Sequence, residues 1–235
     1  MTGWAAKRFW TEAAPRAQDG GWAVALDGRP LRTPAKALLL LPSAALAGMV
    51  AEEWQAQSEN IDPATMPATR MANSAIDKVA TQHSAVAELI AAYGGSDLLC
   101  YRAGHPAELV ARQRQWDPML DWAAQALGAR LVPTEGVMPV EQDSEALNRL
   151  SAQVSALPPF ELAPFHDLVA ITGSLVLGFA IAHRALDGET AWSLSRIDED
   201  YQAQQWGADA EAEATAARHH QDLLFAERFL AAARS

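Results

Sequence analysis

Three groups of side chains in this chain have the types that could do chemistry. Cys100 is the only thiol, and His105 is the nearest base in sequence, the minimum for a nucleophile and its activator. His219-His220, with Asp222 close by, offer donors for a transition metal, and Asp198-Glu199-Asp200 offers hard oxygens for a divalent cation. The spacing argues against each. A cysteine within LLCYR reads as a small buried residue. Adjacent histidines on a helix point about 100° apart, whereas a shared metal needs them at i and i+4. Consecutive carboxylates diverge in the same way, so Asp198 can reach Gln202 while Glu199 cannot join it. His83, His105, His166 and His183 are isolated and carry no ligand spacing. Neither a GxxxxGKS/T nor a GxGxxG loop is present, and Thr172-Gly173-Ser174 runs into an apolar stretch unlike a nucleophile elbow. No catalytic residue, metal ligand or cofactor site is assigned. The alternative is an enzyme of unknown class using the acids Asp198, Glu199 and Asp209 with His219 or Cys100.

The acids make better sense as a surface. Between Asp187 and Glu213 lie eight carboxylates (Asp187, Glu189, Asp198, Glu199, Asp200, Asp209, Glu211 and Glu213) against one cation, Arg196, and this is most of the whole-chain net charge of -11. Trp192, Tyr201 and Trp206 sit within that run. Large aromatics supply contact area and carboxylates select a basic partner. The same surface repels phosphates, which argues against nucleic acid. Asp198 lies beside the apolar residues Leu194, Ile197 and Tyr201, so partial burial with a hydrogen bond is expected for it.

At 235 residues the chain can bury a substantial core, in one large domain or two small ones. Half its residues are hydrophobic and a fifth charged, an ordinary globular balance. One cysteine permits no intrachain disulfide and fits a reducing compartment. The start, MTGWAAKRFWTEAA, has neither a secretory apolar core nor the character of a transit peptide. The longest apolar run, Val169–Ala182, is too short for a bilayer, which needs about 20 residues, and reads as one buried helix in a bundle. A soluble, cytoplasmic protein without membrane insertion is expected.

The elements that must position these residues fall into two regions. Lys7–Thr11, Gly21–Leu26, Arg29–Thr33 and Leu38–Leu41 read as strands, with Asp27-Gly28 as a hairpin turn. From Ser43, a plausible N-cap, the period becomes helical. Helices are expected through Leu46–Gln57, Thr69–Ala80 and Val86–Tyr93, the last closed by Gly94-Gly95. The residues Leu109, Gln113, Trp116, Leu120, Ala123 and Leu127 form a seam interrupted at Asp117-Pro118. Leu147–Leu157, Gly188–Gln205 and Ala208–Ala233 complete the helices, and Gly173 and Gly178 mark close helix approaches. The expected fold is α+β: a small N-terminal β-containing domain, residues 1–82, followed by a larger all-helical domain, residues 83–235.

Several longer motifs occur in order: KRFW at Lys7–Trp10, GWAVALDGRPLRTPAK at Gly21–Lys36, AEEWQAQ at Ala51–Gln57, DLLCYRA at Asp97–Ala103, WDPMLDW at Trp116–Trp122, TGSLVLGFA at Thr172–Ala180 and WG-x-D-x-E-A at Trp206–Ala212. Together they resemble, over nearly the full length, the mitochondrial and alphaproteobacterial assembly chaperones for the alpha subunit of the ATP synthase catalytic sector. The resemblance implies a non-enzymatic protein with an N-terminal β-containing part and a C-terminal helical part. It implies binding to the free alpha subunit, covering the surface that the beta subunit later occupies and preventing aggregation until the hexamer forms. It also implies a functional carboxylate in the C-terminal region, matched here by Glu211, with Ala208 where many relatives carry an acid. The expected contact residues are Asp198, Glu199, Tyr201, Trp206, Asp209, Glu211 and Glu213.

Overall fold

A computed structural model describes residues 7–235 apart from Val137, Pro139 and Ala208. The described chain forms two compact units. The first takes the residues up to His83 together with Pro158–Pro164 and Arg228–Ser235; the second takes Ser84–Leu157 and Phe165–Glu227. The sequence places a boundary at residues 82 and 83, and the first unit adds two later segments to what precedes it.

The first unit carries a four-stranded antiparallel sheet centred on β2 (Gly21–Leu26). β1 (Ala13–Gln18) pairs with β2 along its length through the turn Asp19-Gly20, where Gly20 has φ 81°. The strand expected at Lys7–Thr11 is not formed. Lys7 makes a single bridge to Asn60, and the Arg8 guanidinium donates to the carbonyls of Trp10, Thr11 and Gln55. β3 (Arg29–Pro30) returns after Asp27-Gly28, both with positive φ as a tight hairpin requires. The Asp27 carboxylate accepts from the Glu12 and Thr11 amides, which hold its carboxyl below the usual range. β4 (Leu40–Leu41) pairs with Trp22 and Ala23.

α1 (Ala44–Gln55) starts as expected, with Ser43 accepting from the Leu46 amide at 3.0 Å. α2 (Pro67–Ser74) has no capping side chain of its own and is continued by a π-helical turn, Ala75–Val79. Glu53 of α1 caps it instead, accepting from the Ala68 and Thr69 amides and the Thr69 hydroxyl. Burial pushes the Glu53 carboxyl above the usual range despite those bonds. The Ser43 hydroxyl also donates to the Ala232 carbonyl, and Arg234 pairs with Glu161.

The rest of the chain is helical. α3 (His83–Ala91) ends in a 3-10 turn through Gly95; it buries Ala87 and Ile90, while Leu89 is exposed. β5 (Tyr101–Arg102) precedes α4 (Ala107–Gln113) and α5 (Asp117–Ala126), which meet at a 3-10 turn beside Pro118. β6 (Thr134–Glu135) pairs in parallel with β5, the one strand pairing among the described residues of this otherwise helical unit. α6 (Ser144–Ser155) follows, then α7 (Pro159–Thr172) and α8 (Leu175–Ala182). The single helix expected over Val169–Ala182 is thus two. Gly173, at φ 68°, ends the first, and Ser174 caps the second by accepting from the Leu177 amide. All eight residues of α8 are buried. A Cβ on Gly178 would lie 2.5 Å from Val169 Cγ2, so α7 and α8 approach as closely as glycine permits. α9 (Gly188–Ser195), α10 (Ile197–Trp206) and α11 (Ala210–Ala233) complete the chain; the expected start of the last helix at Ala208 falls outside the described residues.

Asp97 holds the buried helix in place. It is 1% exposed and accepts from the Ser174 hydroxyl at 2.7 Å, the Val176 amide at 3.0 Å and the Leu99 amide at 3.0 Å. Burial outweighs these bonds and raises its pKa from 3.8 to about 6. The folded state therefore takes up this proton before the unfolded state does. The resulting stabilisation is fully present below about pH 4 and is lost as pH rises through 6. Urea unfolding of the wild type and Asp97→Asn should show the wild type gaining stability relative to the variant between pH 7.5 and pH 5. A pH-independent difference would contradict this account.

Candidate functional site

The acid-rich segment forms the wall of a groove. α10 runs to Trp206 and stops at Gly207, whose φ of 93° turns the chain. Asp209 then caps α11, its carboxylate accepting from the Ala212 amide at 3.1 Å. Glu211 and Glu213 occupy the first turn of α11, where the positive end of the helix dipole favours anions. Between these helices, the end of α7 and α9 lies an open groove of about 1200 Å³. Its floor includes Ile171, Thr172 and Gly173, and the small residues Ala203, Ala212 and Ala216 leave the space open. Five carboxylates line it, Glu199, Asp200, Asp209, Glu211 and Glu213, against one guanidinium, Arg196. Trp206 stands at this groove 78% exposed.

The expected contact residues divide into two sets. Glu199, Trp206, Asp209, Glu211 and Glu213 are exposed and line the groove together. Asp198 and Tyr201 are more buried than these five. Asp198 is half-buried and accepts from Gln113 Nε2 at 2.7 Å, while Gln113 in turn accepts from the Ala103 amide. Tyr201 is 7% exposed, with the Arg112 guanidinium 5.2 Å from its ring centre. Both residues fall on the face of α10 that packs toward α4, so they fix the groove's wall from behind. Trp116 adds to this bracing by donating from Nε1 to the Leu194 carbonyl at 2.8 Å.

The sequence did not single out four groove residues as contacts: Trp192, Arg196, Asp200 and His220. His220 Nε2 lies 2.8 Å from Glu189 Oε2, and its ring stacks on Trp192. Arg196 lies over the Trp192 ring. The small-residue spacing on α10 and α11 was the available signal for an open channel, since alanines facing each other leave a gap.

Of the groups suggested for chemistry, His219 and His220 line the groove with Glu199, Asp200 and Asp209, and Cys100 is not among its lining residues. Cys100 is buried, and burial followed by the Asp97 charge pushes its thiol up to about 12, so no thiolate forms near neutral pH. Among the described residues no group of three or more His, Cys, Asp or Glu side chains is arranged to hold a metal ion. Nor is any of their helices long and apolar enough to cross a membrane.

Residues 7–124 match the family model of the ATP12 chaperone protein. Solved structures of Atp12 from Paracoccus denitrificans and of an Asp→Lys variant of it are each 53% identical to this chain, with TM-scores of 0.95. They cover 97% of this chain and 99% and 98% of their own. A protein of Agrobacterium tumefaciens is 43% identical with a TM-score of 0.89, over 96% of this chain and 85% of that one. The mitochondrial protein atp12 of Schizosaccharomyces pombe is 26% identical over 215 residues, 86% of this chain and 74% of the relative. The class is therefore that of an ATP synthase assembly chaperone, with the expected small sheet region followed by helices. The chain belongs to the ATP12 chaperone family.

The two sets of acid-segment residues should respond differently to truncation. Tyr201→Ala should cost about 3 kcal/mol of unfolding free energy by analogy with large-to-small core changes. Trp206→Ala should stay within about 0.5 kcal/mol of the wild type, as surface changes do. Denaturant unfolding of both variants tests this, and a large loss in Trp206→Ala would place that ring in the core.

Proposed function

We propose that this chaperone uses the groove to hold the free alpha subunit of the ATP synthase catalytic sector until the hexamer forms. The family resemblance suggests the client, and the observation that carries the site is the exposed Trp206 set among five carboxylates in one open channel. An exposed indole gives contact area at low entropic cost, and the acids select a client surface that is basic and partly apolar. The helical residues 83–235 are the client-facing part of the molecule. Contact residues are Glu199, Trp206, Asp209, Glu211 and Glu213, with Asp198 and Tyr201 positioning them. The action is holding and release in the cytoplasm, without catalysis or a cofactor. Such a device must bind tightly enough to prevent self-association of the client and weakly enough to yield to its native neighbour.

Co-expression tests the reading. The alpha subunit alone should remain soluble and co-purify with the wild-type chain. Glu211→Lys should abolish co-purification while circular dichroism and unfolding midpoint stay close to wild type. The Paracoccus Asp→Lys variant, which retains the fold, shows that a family member accommodates such a reversal. Retention of the alpha subunit by a well-folded Glu211→Lys chain would remove Glu211 from the site. Raising salt from 50 to 500 mM should weaken the wild-type complex, because exposed charge pairs are screened.

A further inference from the structure

Arg196 is held more loosely than the arginines that brace the fold. Arg8 and Arg102 each donate several hydrogen bonds to backbone carbonyls. Arg149 and Arg234 donate to carboxylates at 2.8 and 2.7 Å. The Arg196 guanidinium reaches Glu199 and Asp200 only at 3.7 Å each, beyond hydrogen-bond distance. Its other contact is with the Trp192 ring, 5.5 Å from guanidinium carbon to ring centre. The side chain is 26% exposed, and it is the only Lys or Arg lining the groove among the described residues. It therefore neutralises part of an acidic wall while forming little that must be broken.

We propose that Arg196 is a built-in competitor for the client: it loosely occupies the place that a client guanidinium takes, and it is displaced when the client docks. The proposal rests on the reading of the groove as the client site. The occupant is a segment carrying an arginine among apolar residues. Its guanidinium would form direct bonds to Glu199 and Asp200 and stack on Trp192, while its apolar neighbours would cover Trp206. An arginine suits this position better than a lysine because a planar guanidinium both stacks on indole and forks to carboxylates. The competitor sets a ceiling on affinity, a useful property for a protein that must release what it holds. It also keeps the acids from repelling one another while the groove is empty.

The test uses fluorescence anisotropy with a labelled peptide of alternating leucine and arginine, its citrulline counterpart, and the full-length protein. Wild type should bind the arginine peptide and not the citrulline one. Arg196→Gln should bind the arginine peptide about fivefold more tightly, the effect of removing one partly screened competing charge. Arg196→Met, which keeps the aliphatic stem, should do the same and serves as the reading if the glutamine variant is poorly folded. Equal or weaker binding by the folded variant would overturn the proposal and make Arg196 a brace of the wall. Capture of the alpha subunit by co-expression is scored in parallel with wild type and Arg196→Gln. If the wild type binds neither the arginine peptide nor the alpha subunit, the groove reading fails, and the competitor proposal falls with it. If the alpha subunit is captured but Arg196→Gln shows no gain, only the competitor proposal is overturned.

Discussion

The helical part of this molecule depends on one buried carboxylate. α8 begins inside the protein, where water cannot satisfy the free amides of a first turn. Asp97 and Ser174 together meet that need: Ser174 caps its own helix, and Asp97 accepts from the Ser174 hydroxyl and from the next free amide. The arrangement confines an acid to an apolar interior, and its raised pKa records the cost. In exchange, α8 can be apolar on every side and serve as the post against which α5 and α9 pack. The motif recurs. Glu53 caps α2 from α1, and Glu227 accepts from the Gly188 amide at the start of α9, with its own pKa raised first by burial. Helix starts in this chain are repeatedly finished by acids borrowed from elsewhere in the sequence, so the helices are tied together where they begin.

The groove inherits its form from that scaffold. α9 starts on Glu227, α10 is pinned from behind by Gln113 and Arg112, and α11 starts on Asp209. Glu199, Asp200, Glu211 and Glu213, which cap and brace no helix, face the open channel, joined there by the cap Asp209. Acids in one short stretch thus do three kinds of work: starting helices, bracing them, and presenting charge.

How much of this was legible follows from what each residue's signal depends on. The helical seams, the Ser43 cap and the Asp27-Gly28 turn were readable because their determinants lie within a few residues of one another. β1 was missed because AAPRAQ offers no β-branched or aromatic residue; its partner, a turn at Asp19-Gly20, holds it in the sheet. Val169–Ala182 read as one helix because hydropathy is blind to the break that Gly173 introduces by backbone conformation alone. Asp198 was expected to be partly buried from its neighbours on the helix, and it is, but its partner Gln113 is 85 residues away. Tyr201 shared the acid run with Trp192 and Trp206, and only the packing of α4 against α10 separates the buried ring from the exposed one. The channel itself needed four helices brought together and had no linear motif.

The first compact unit is assembled from three pieces of the chain, and the last of them, Arg228–Ser235, follows every residue of the second. On the ribosome the sheet and α1 emerge early, yet the carbonyl that Ser43 bonds and the guanidinium that Glu161 bonds come only with this final stretch. The part made first is thus the part completed last. Nascent chains cut off between His220 and Arg228 would carry every residue of the channel but lack the clasp that closes the sheet-bearing body. An assembly chaperone of this family is thus, during its own synthesis, left waiting for a segment of its own.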